Sequence, residues 1–182
     1  MKIDKVCRYG VVLTRLTEET IELARQWRND PEIVQFHEYR EHITQEMQKK
    51  WFQSIDNDLN HYFIIEYNNQ KIGVTNLKWN TSGNYHEAGT FIGIKEFQNT
   101  IVPMRSFYAL HDYAFFNLKL TELYAHIIES NTRAIRYGLK VGYRLCDHQE
   151  NVTNQLYRLT PSDYDRCSIR DRKMLSRGTD TL

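Results

Sequence analysis

Between His61 and Ile94 three strand-like segments follow one another with almost nothing between them: HYFIIEY, KIGVTNLKW and HEAGTFIGI. Each is rich in β-branched and aromatic residues, the types that suit a pleated surface. Asn68-Asn69 separates the first two, and Thr81–Asn84 separates the second from the third. Connections this short permit only antiparallel neighbours, because a parallel return needs a crossover of about a dozen residues or more. The middle of the chain is therefore committed to a three-strand meander, and the rest of the fold must be built around it.

The flanks supply helices and a crossover. Residues Arg8–Leu13 read as a first strand. Thr17 is placed to cap a helix whose first turn holds Glu18 and Glu19, where the dipole favours carboxylates. Ile21, Ala24 and Trp27 share one face of it, and Asp30-Pro31 stops it. A second helix starts at Thr44 and aligns Met47, Trp51 and Phe52. After the meander, a helix from about Pro103 to Leu118 buries Phe107, Leu110 or His111, Ala114 and Leu118. ELYAHII (122–128) is a strand, Asn131–Val141 a short helix stopped by Gly142, and Tyr143–Cys146 with Gln155–Leu159 a closing pair of strands. A meander joined to a strand–helix–strand crossover predicts one α/β domain over residues 1–182, with a mixed, mostly antiparallel sheet and helices on both faces. Residues 166–182, which hold Arg166, Arg170, Arg172, Lys173 and Arg177, read as a C-terminal tail or short helix.

Composition narrows the partners. The formal net charge of +1 gives no field directed at nucleic acid or an anionic membrane. Cys7, Cys146 and Cys167 are odd in number and far apart, without metal-ligand spacing, which predicts a reducing compartment and no zinc site. No apolar run approaches a membrane span, and MKIDKVCRYG lacks the apolar core of a signal peptide, so a cytoplasmic protein is expected.

Four stretches then carry a resemblance. NTRAIRYGLKVGYRL from Asn131, HEAGTFIGI on the central strand, RSFYALHDYAFFNLKLTELYAHIIESN after it, and WRNDPEI from Trp27 stand in the order and spacing of the GNAT acyltransferase superfamily. Within it, they resemble the branch that holds the ribosomal-protein N-terminal and amino-sugar nucleotide acetyltransferases. The resemblance covers about residues 8–165. It implies acetyl transfer from acetyl-coenzyme A to a primary amine, on a small molecule or a peptide N-terminus, with no metal. Between these two acceptors, an amino-sugar nucleotide is preferred, since the near-neutral charge holds no attraction for ribosomal RNA.

Such chemistry needs a held pyrophosphate, a polarised carbonyl, a neutral amine and a proton for the departing thiolate. The loop EFQNTIVPMRSF lies where the family holds the pyrophosphate, yet Asn99, Ile101 and Pro103 stand where that branch has small residues. Backbone N–H groups of Thr100, Ile101, Val102, Met104 and Arg105 remain as donors, with side chains of Thr100 and Arg105 beside them. Either the loop binds the cofactor in an unusual way or it has been repurposed, and a non-catalytic relative is the rival reading. Gly89 marks either a bulge that aims an N–H at the thioester carbonyl or a concession to sheet twist. The resemblance gives the contacts along the central strand to Phe91, Ile92, Gly93 and Ile94. Glu87 is preferred as base over His86, because neighbouring strand residues face opposite sides. His111 and His126 are read as structural. Gly138 stands where many relatives have a tyrosine acid, so either the adjacent Tyr137 supplies the proton or no tyrosine does. Asn131 is a pantetheine partner by resemblance, a helix cap by its residue type, or both. Arg28, Asn29, His37, Tyr39, Trp51 and Trp79 are candidates to line the acceptor site, where an arginine suits a phosphate or carboxylate.

Overall fold

The computed structural model describes residues 3–177. The chain folds into an eight-stranded sheet in the order β1-β2-β3-β4-β5-β6-β8-β7. The meander is as expected: β3 (His61–Tyr67), β4 (Gln70–Asn80) and β5 (Tyr85–Ile92) are antiparallel neighbours. Asn68 and Asn69 both hold positive φ, 49° and 60°, the conformation that a two-residue hairpin turn demands.

The N-terminus differs from the single strand predicted. It is a hairpin of β1 (Lys5–Arg8) and β2 (Val11–Arg15), turned at Tyr9 and Gly10 with φ of 55° and 72°. The Tyr-Gly pair was the missed turn signal. The parallel join falls between β5 and β6 (Leu123–Ile128), after which β7 (Arg144–Leu145) and β8 (Asn154–Leu159) close the sheet.

Helices cover both faces. On one lie α1 (Ile21–Arg28), the short α2 (Pro31–Val34) and α3 (Gln45–Ile55). They bury Ile21, Ala24, Trp27 and Ile33 against Tyr62, Ile64 and Val74. The α1 helix begins a turn later than Thr17, because Thr17 and Thr20 close a turn of their own, with the Thr20 N–H donating to the Thr17 carbonyl at 2.9 Å. Thr44 caps α3 as expected, but Met47 points to solvent and Gln48 is buried in its place. The Gln48 amide donates to the Ile21 carbonyl at 3.1 Å, so a polar residue sits inside with its bond made.

On the other face, the short α4 (Lys95–Gln98) leads into α5 (Val102–Asp112), followed by α6 (Thr132–Val141). The α5 helix gives way to a π-helical turn over Tyr113–Asn117. Residues 166–177 belong to α7 (Pro161–Arg177), docked on the sheet core through Tyr164, Ser168 and Leu175. Of the tail and the short helix that the charge run allows, the helix forms, seated by three widely spaced inward residues. Residues 178–182 of that segment lie outside the described residues.

Candidate active site

The sheet parts along one seam. From Tyr85 to Ile92, β5 is paired continuously with β4, yet β6 meets it only at Glu87 opposite Tyr124. Beyond Glu87 the β5 backbone has no strand partner on that side among the described residues. A row of unpaired strand amides is a ready template for an extended ligand that carries amides of its own.

Glu87 stands where the seam begins to open. Register fixes its face: Glu87 lies opposite Lys78, Gly89 opposite Asn76, and Asn76 opposite Tyr62, which packs under α1 and α3. The carboxylate is thus turned toward the α1–α3 side. The Asn80 amide donates to it at 2.5 Å, and His126 Nδ1 lies 3.2 Å from its other oxygen. Burial by itself would raise the Glu87 pKa, but the bonds from His126 and Asn80 and the charge of Lys78 outweigh it and hold the group below the usual carboxylate range. Tyr85 and Tyr124 stack beside it with ring centroids 4.1 Å apart. The partnership with His126, read as structural from sequence, emerges only from the parallel β5–β6 register, which no local pattern encodes.

His86 faces the other way. It bonds the Leu59 carbonyl at 3.0 Å and packs edge-on to Trp79 at 4.9 Å. Trp79 shares that face, so it does not join the acceptor-side residues. Asn29 is likewise occupied: its side chain donates to the Ile43 carbonyl at 2.9 Å and accepts the Ile43 N–H at 2.8 Å, tying the segment after α2 to α1. Trp51 does lie on the Glu87 side, edge-on to Tyr62 at 5.1 Å, and His37 meets Phe91 edge-on at 5.6 Å. Tyr39 is exposed and its hydroxyl donates to Glu41 at 3.4 Å. Arg28 brings its charge to the same region, and its Nη1 is buried without a hydrogen-bond partner among the described residues.

Gly89 does not mark a bulge, since β4 and β5 pair in unbroken register from Gly73 to Asn80. A Cβ there would meet the Asn76 side-chain oxygen at 2.9 Å, so the glycine makes room for Asn76. Further along, Gly93 and Ile94 turn their N–H groups back to the Ile72 carbonyl, at 2.7 and 3.2 Å. The Ile92 carbonyl accepts from Gln98 at 3.1 Å. These contacts leave Ala88–Phe91 as the backbone stretch most open to a ligand.

The glycine-free loop largely satisfies itself. The Thr100 N–H donates to the Phe97 carbonyl at 3.3 Å, the Val102 N–H to Thr100 Oγ1 at 3.2 Å, and the Arg105 N–H to the Ile101 carbonyl at 3.1 Å. Pro103 has no N–H. Ile101 and Met104 are the positions whose donors these bonds do not use. Arg133 of α6 donates to the Asn99 side chain at 2.9 Å and to the Gln98 carbonyl, pinning the loop. The Arg105 Nε is buried without a hydrogen-bond partner among the described residues, and its guanidinium lies 6.0 Å from the Tyr67 ring centre. Sequence reading passed over Arg133, although it stands in the quoted N-T-R segment. Asn131 caps α6, accepting the Ala134 N–H at 3.1 Å.

Tyr137 is not among the groups around Glu87. Its ring packs edge-on to Phe107 of α5 at 5.9 Å, with Asp171 of α7 and Arg133 as its charged neighbours. Gly138 faces Tyr143 and Ile127, where a Cβ would sit at ordinary contact distance, 3.6 and 3.7 Å.

A sheet opened at a parallel seam, with a helix N-terminus beside the gap and a carboxylate at its head, defines an acyl-transferase type of α/β fold. The family model described as Acetyltransferase (GNAT) domain matches residues 11–144, and the chain belongs to that family. Solved structures agree on the fold. FdhC, described as a nucleotide-linked sugar GNAT, is 18% identical with a TM-score of 0.77, over 96% of this chain and 99% of its own. Aminoglycoside acetyltransferase AAC(6')-Ib in complex with coenzyme A is 18% identical with a TM-score of 0.71, over 86% and 98%. Spermidine/spermine N-acetyltransferase SpeG from Vibrio cholerae is 19% identical with a TM-score of 0.66, over 87% and 98%. Among curated proteins none matches the chain significantly. No helix among the described residues is long and apolar enough to cross a membrane.

Proposed function

We propose that this chain is an acetyl-coenzyme-A-dependent N-acetyltransferase that acts on the primary amine of a small molecule, with Glu87 as the proton acceptor. The observation that carries the reading is a half-buried, ionised Glu87 at the head of the β5–β6 seam. The thioester supplies an activated acetyl group. The open β5 edge from Ala88 to Phe91 holds the pantetheine arm by amide hydrogen bonds, and Ile101, Met104 and Arg105 meet the pyrophosphate at the α5 N-terminus. The unpartnered Arg105 Nε is the observation that fits an anion there.

Glu87 cannot strip a free ammonium efficiently. An alkylammonium of pKa about 10 lies some six units above a carboxylate, roughly 8 kcal/mol uphill. The amine therefore attacks in its neutral form, its first proton lost to solvent, and Glu87 takes the second late, once bond formation to the carbonyl carbon has made the nitrogen acidic. Nitrogen attacks carbon, Glu87 accepts the nitrogen's proton directly or through one water, and the carbon–sulfur bond breaks to release thiolate. The surroundings of Tyr137 point away from this step, so the thiolate takes its proton from another donor or from water.

Among acceptors, an amino-sugar nucleotide is preferred to a peptide N-terminus. The likeness to a nucleotide-linked sugar relative supports this, as does the arginine on the acceptor side. Isothermal titration with acetyl-coenzyme A tests the first half, and binding at micromolar concentration is expected. Thiol release across an amine panel tests the second. No binding at millimolar cofactor would end the enzymatic reading.

A further inference from the structure

We infer that Arg28, at the end of α1, reads an anionic group on the acceptor, so that the substrate is an amine that also carries a phosphate or carboxylate. The inference rests on the acetyl-transfer reading for the amine end of that molecule.

The guanidinium is the anomaly that motivates it. Arg28 closes α1, and its Nη1 is fully buried with no hydrogen-bond partner among the described residues. No carboxylate lies within ion-pair distance of it there. Its neighbour one turn back shows what a settled arginine looks like: Arg25 donates two bonds to Glu22 and a third to the Ile43 carbonyl. A buried guanidinium N–H without an acceptor is costly, and a bound anion would supply one.

The surroundings say which group. Arg28 charge acts on both Tyr62 and His37, and Tyr62 also feels the Glu87 carboxylate. Tyr62 therefore has a positive and a negative group in its neighbourhood. Trp51 stands edge-on to Tyr62, and His37 stands edge-on to Phe91. Burial and the Arg28 charge push His37 down to about 4, so it is neutral at pH 7 and adds no second positive charge beside Arg28. Glu87 is already engaged by Asn80 and His126 and does not neutralise Arg28. The site is bipolar. Its acidic end receives an ammonium or amine, and its basic end presents a planar fork that matches a carboxylate or phosphate in two parallel bonds. Tyr62, Trp51 and Phe91 share this face, and aromatic rings suit a sugar ring or the carbon frame of an amino acid.

The test uses matched acceptors on the full-length protein with acetyl-coenzyme A. One pair is a free amino sugar and its phosphate, and the other an amino acid and its amide. The wild type is expected to favour the anionic member of one pair by about 10- to 100-fold in kcat/KM, the scale of hydrogen bonds to a charged group. The pair that responds tells phosphate from carboxylate. Arg28→Gln should remove the preference by raising KM for the anionic member while leaving the neutral member within about twofold. Arg28→Lys should retain part of it. A wild type indifferent to charge in both pairs, or an Arg28→Gln enzyme equally impaired on neutral and anionic members, overturns the inference while acetyl transfer stands. If Arg28→Gln does not fold, the wild-type panel and Arg28→Lys decide. If acetyl-coenzyme A does not bind at all, the transfer reading fails separately. Inorganic phosphate against chloride at equal ionic strength then tests Arg28 alone: a rise in melting temperature that is lost in Arg28→Gln and reduced in Arg28→Lys supports the site, and no rise, or one unchanged in both variants, overturns it.

Discussion

A fully buried carboxylate and a half-buried one, on opposite sides of the sheet, show how differently one functional group can be used. Asp112, on α5, is 1% exposed and every direction around it is taken. Tyr9 and Tyr164 donate to it at 2.5 and 2.8 Å, Arg8 at 2.7 Å and Arg172 at 3.3 Å. These partners come from the β1–β2 turn and from α7, so one acid ties both ends of the chain to the central helix. Burial and the Asp112 carboxylate raise the pKa of Tyr9 and Tyr164, which keeps both phenols neutral donors. Glu87, by contrast, is held among the described residues by Asn80 and His126 alone and stands at an opening in the sheet. A carboxylate enclosed by fixed donors from distant elements is a structural tie. One with few partners beside unpaired backbone is available for chemistry.

The largest expected effect tests the enclosed acid. Asp112→Ala removes the acceptor that Tyr9, Tyr164 and Arg8 share and leaves Arg172 ion-paired, among the described residues, only with Asp165, and should destabilise the fold by about 3–5 kcal/mol. Urea unfolding measures it, and the activity of the fraction still folded should be normal. A loss below 1 kcal/mol would show that the two sites are not as different as argued. Asn80→Ala sharpens the other side. It removes the shortest bond to Glu87, which should raise that pKa and lower kcat/KM by about 10-fold, with unfolding changed by no more than about 1 kcal/mol. An unchanged rate with lost stability would make Asn80–Glu87 a second structural tie.

A pH series addresses the fold apart from either acid. Burial pushes His111 down to about 3 and His61 to about 4, against 6.5 unfolded. Their folded values are lowered, so the unfolded chain binds protons first as pH falls below 6.5. Stability should then drop by about 1.4 kcal/mol per pH unit for each such histidine, until the folded values are reached. Denaturation at pH 7 and pH 5 checks the slope, and His111→Gln should lessen it by one histidine's share. The smallest effect is expected at Tyr137, whose ring lies between α5 and α7. Tyr137→Phe should leave kcat within about twofold, and a 10-fold loss would return the acid role to it.

Much of this architecture was legible in the sequence, and the reasons are local. Short turns dictated the meander, Thr44 and Asn131 announced their helices, and Gly142, with φ of 111°, marked the end of α6. What escaped depends on contacts between distant segments. Tyr9-Gly10 is a weaker turn signal than Asn68-Asn69, so a hairpin was read as one strand. The α7 helix holds few apolar residues and is seated by Tyr164 reaching Asp112, which no periodicity reveals. Glu87 was found from its place on the central strand. His126 was not, because only parallel pairing of β5 with β6 brings it there. Trp79 was a candidate for the acceptor side, yet strand alternation places it with His86 on the far face.

The central claim is that Glu87 accepts the proton when an amine attacks acetyl-coenzyme A. Glu87→Gln keeps the shape and removes the charge. With cofactor affinity measured on both proteins, thiol release by the variant should fall by about 10²- to 10³-fold while acetyl-coenzyme A binding stays within about twofold. A variant that binds the cofactor equally well and turns over at the wild-type rate would contradict it.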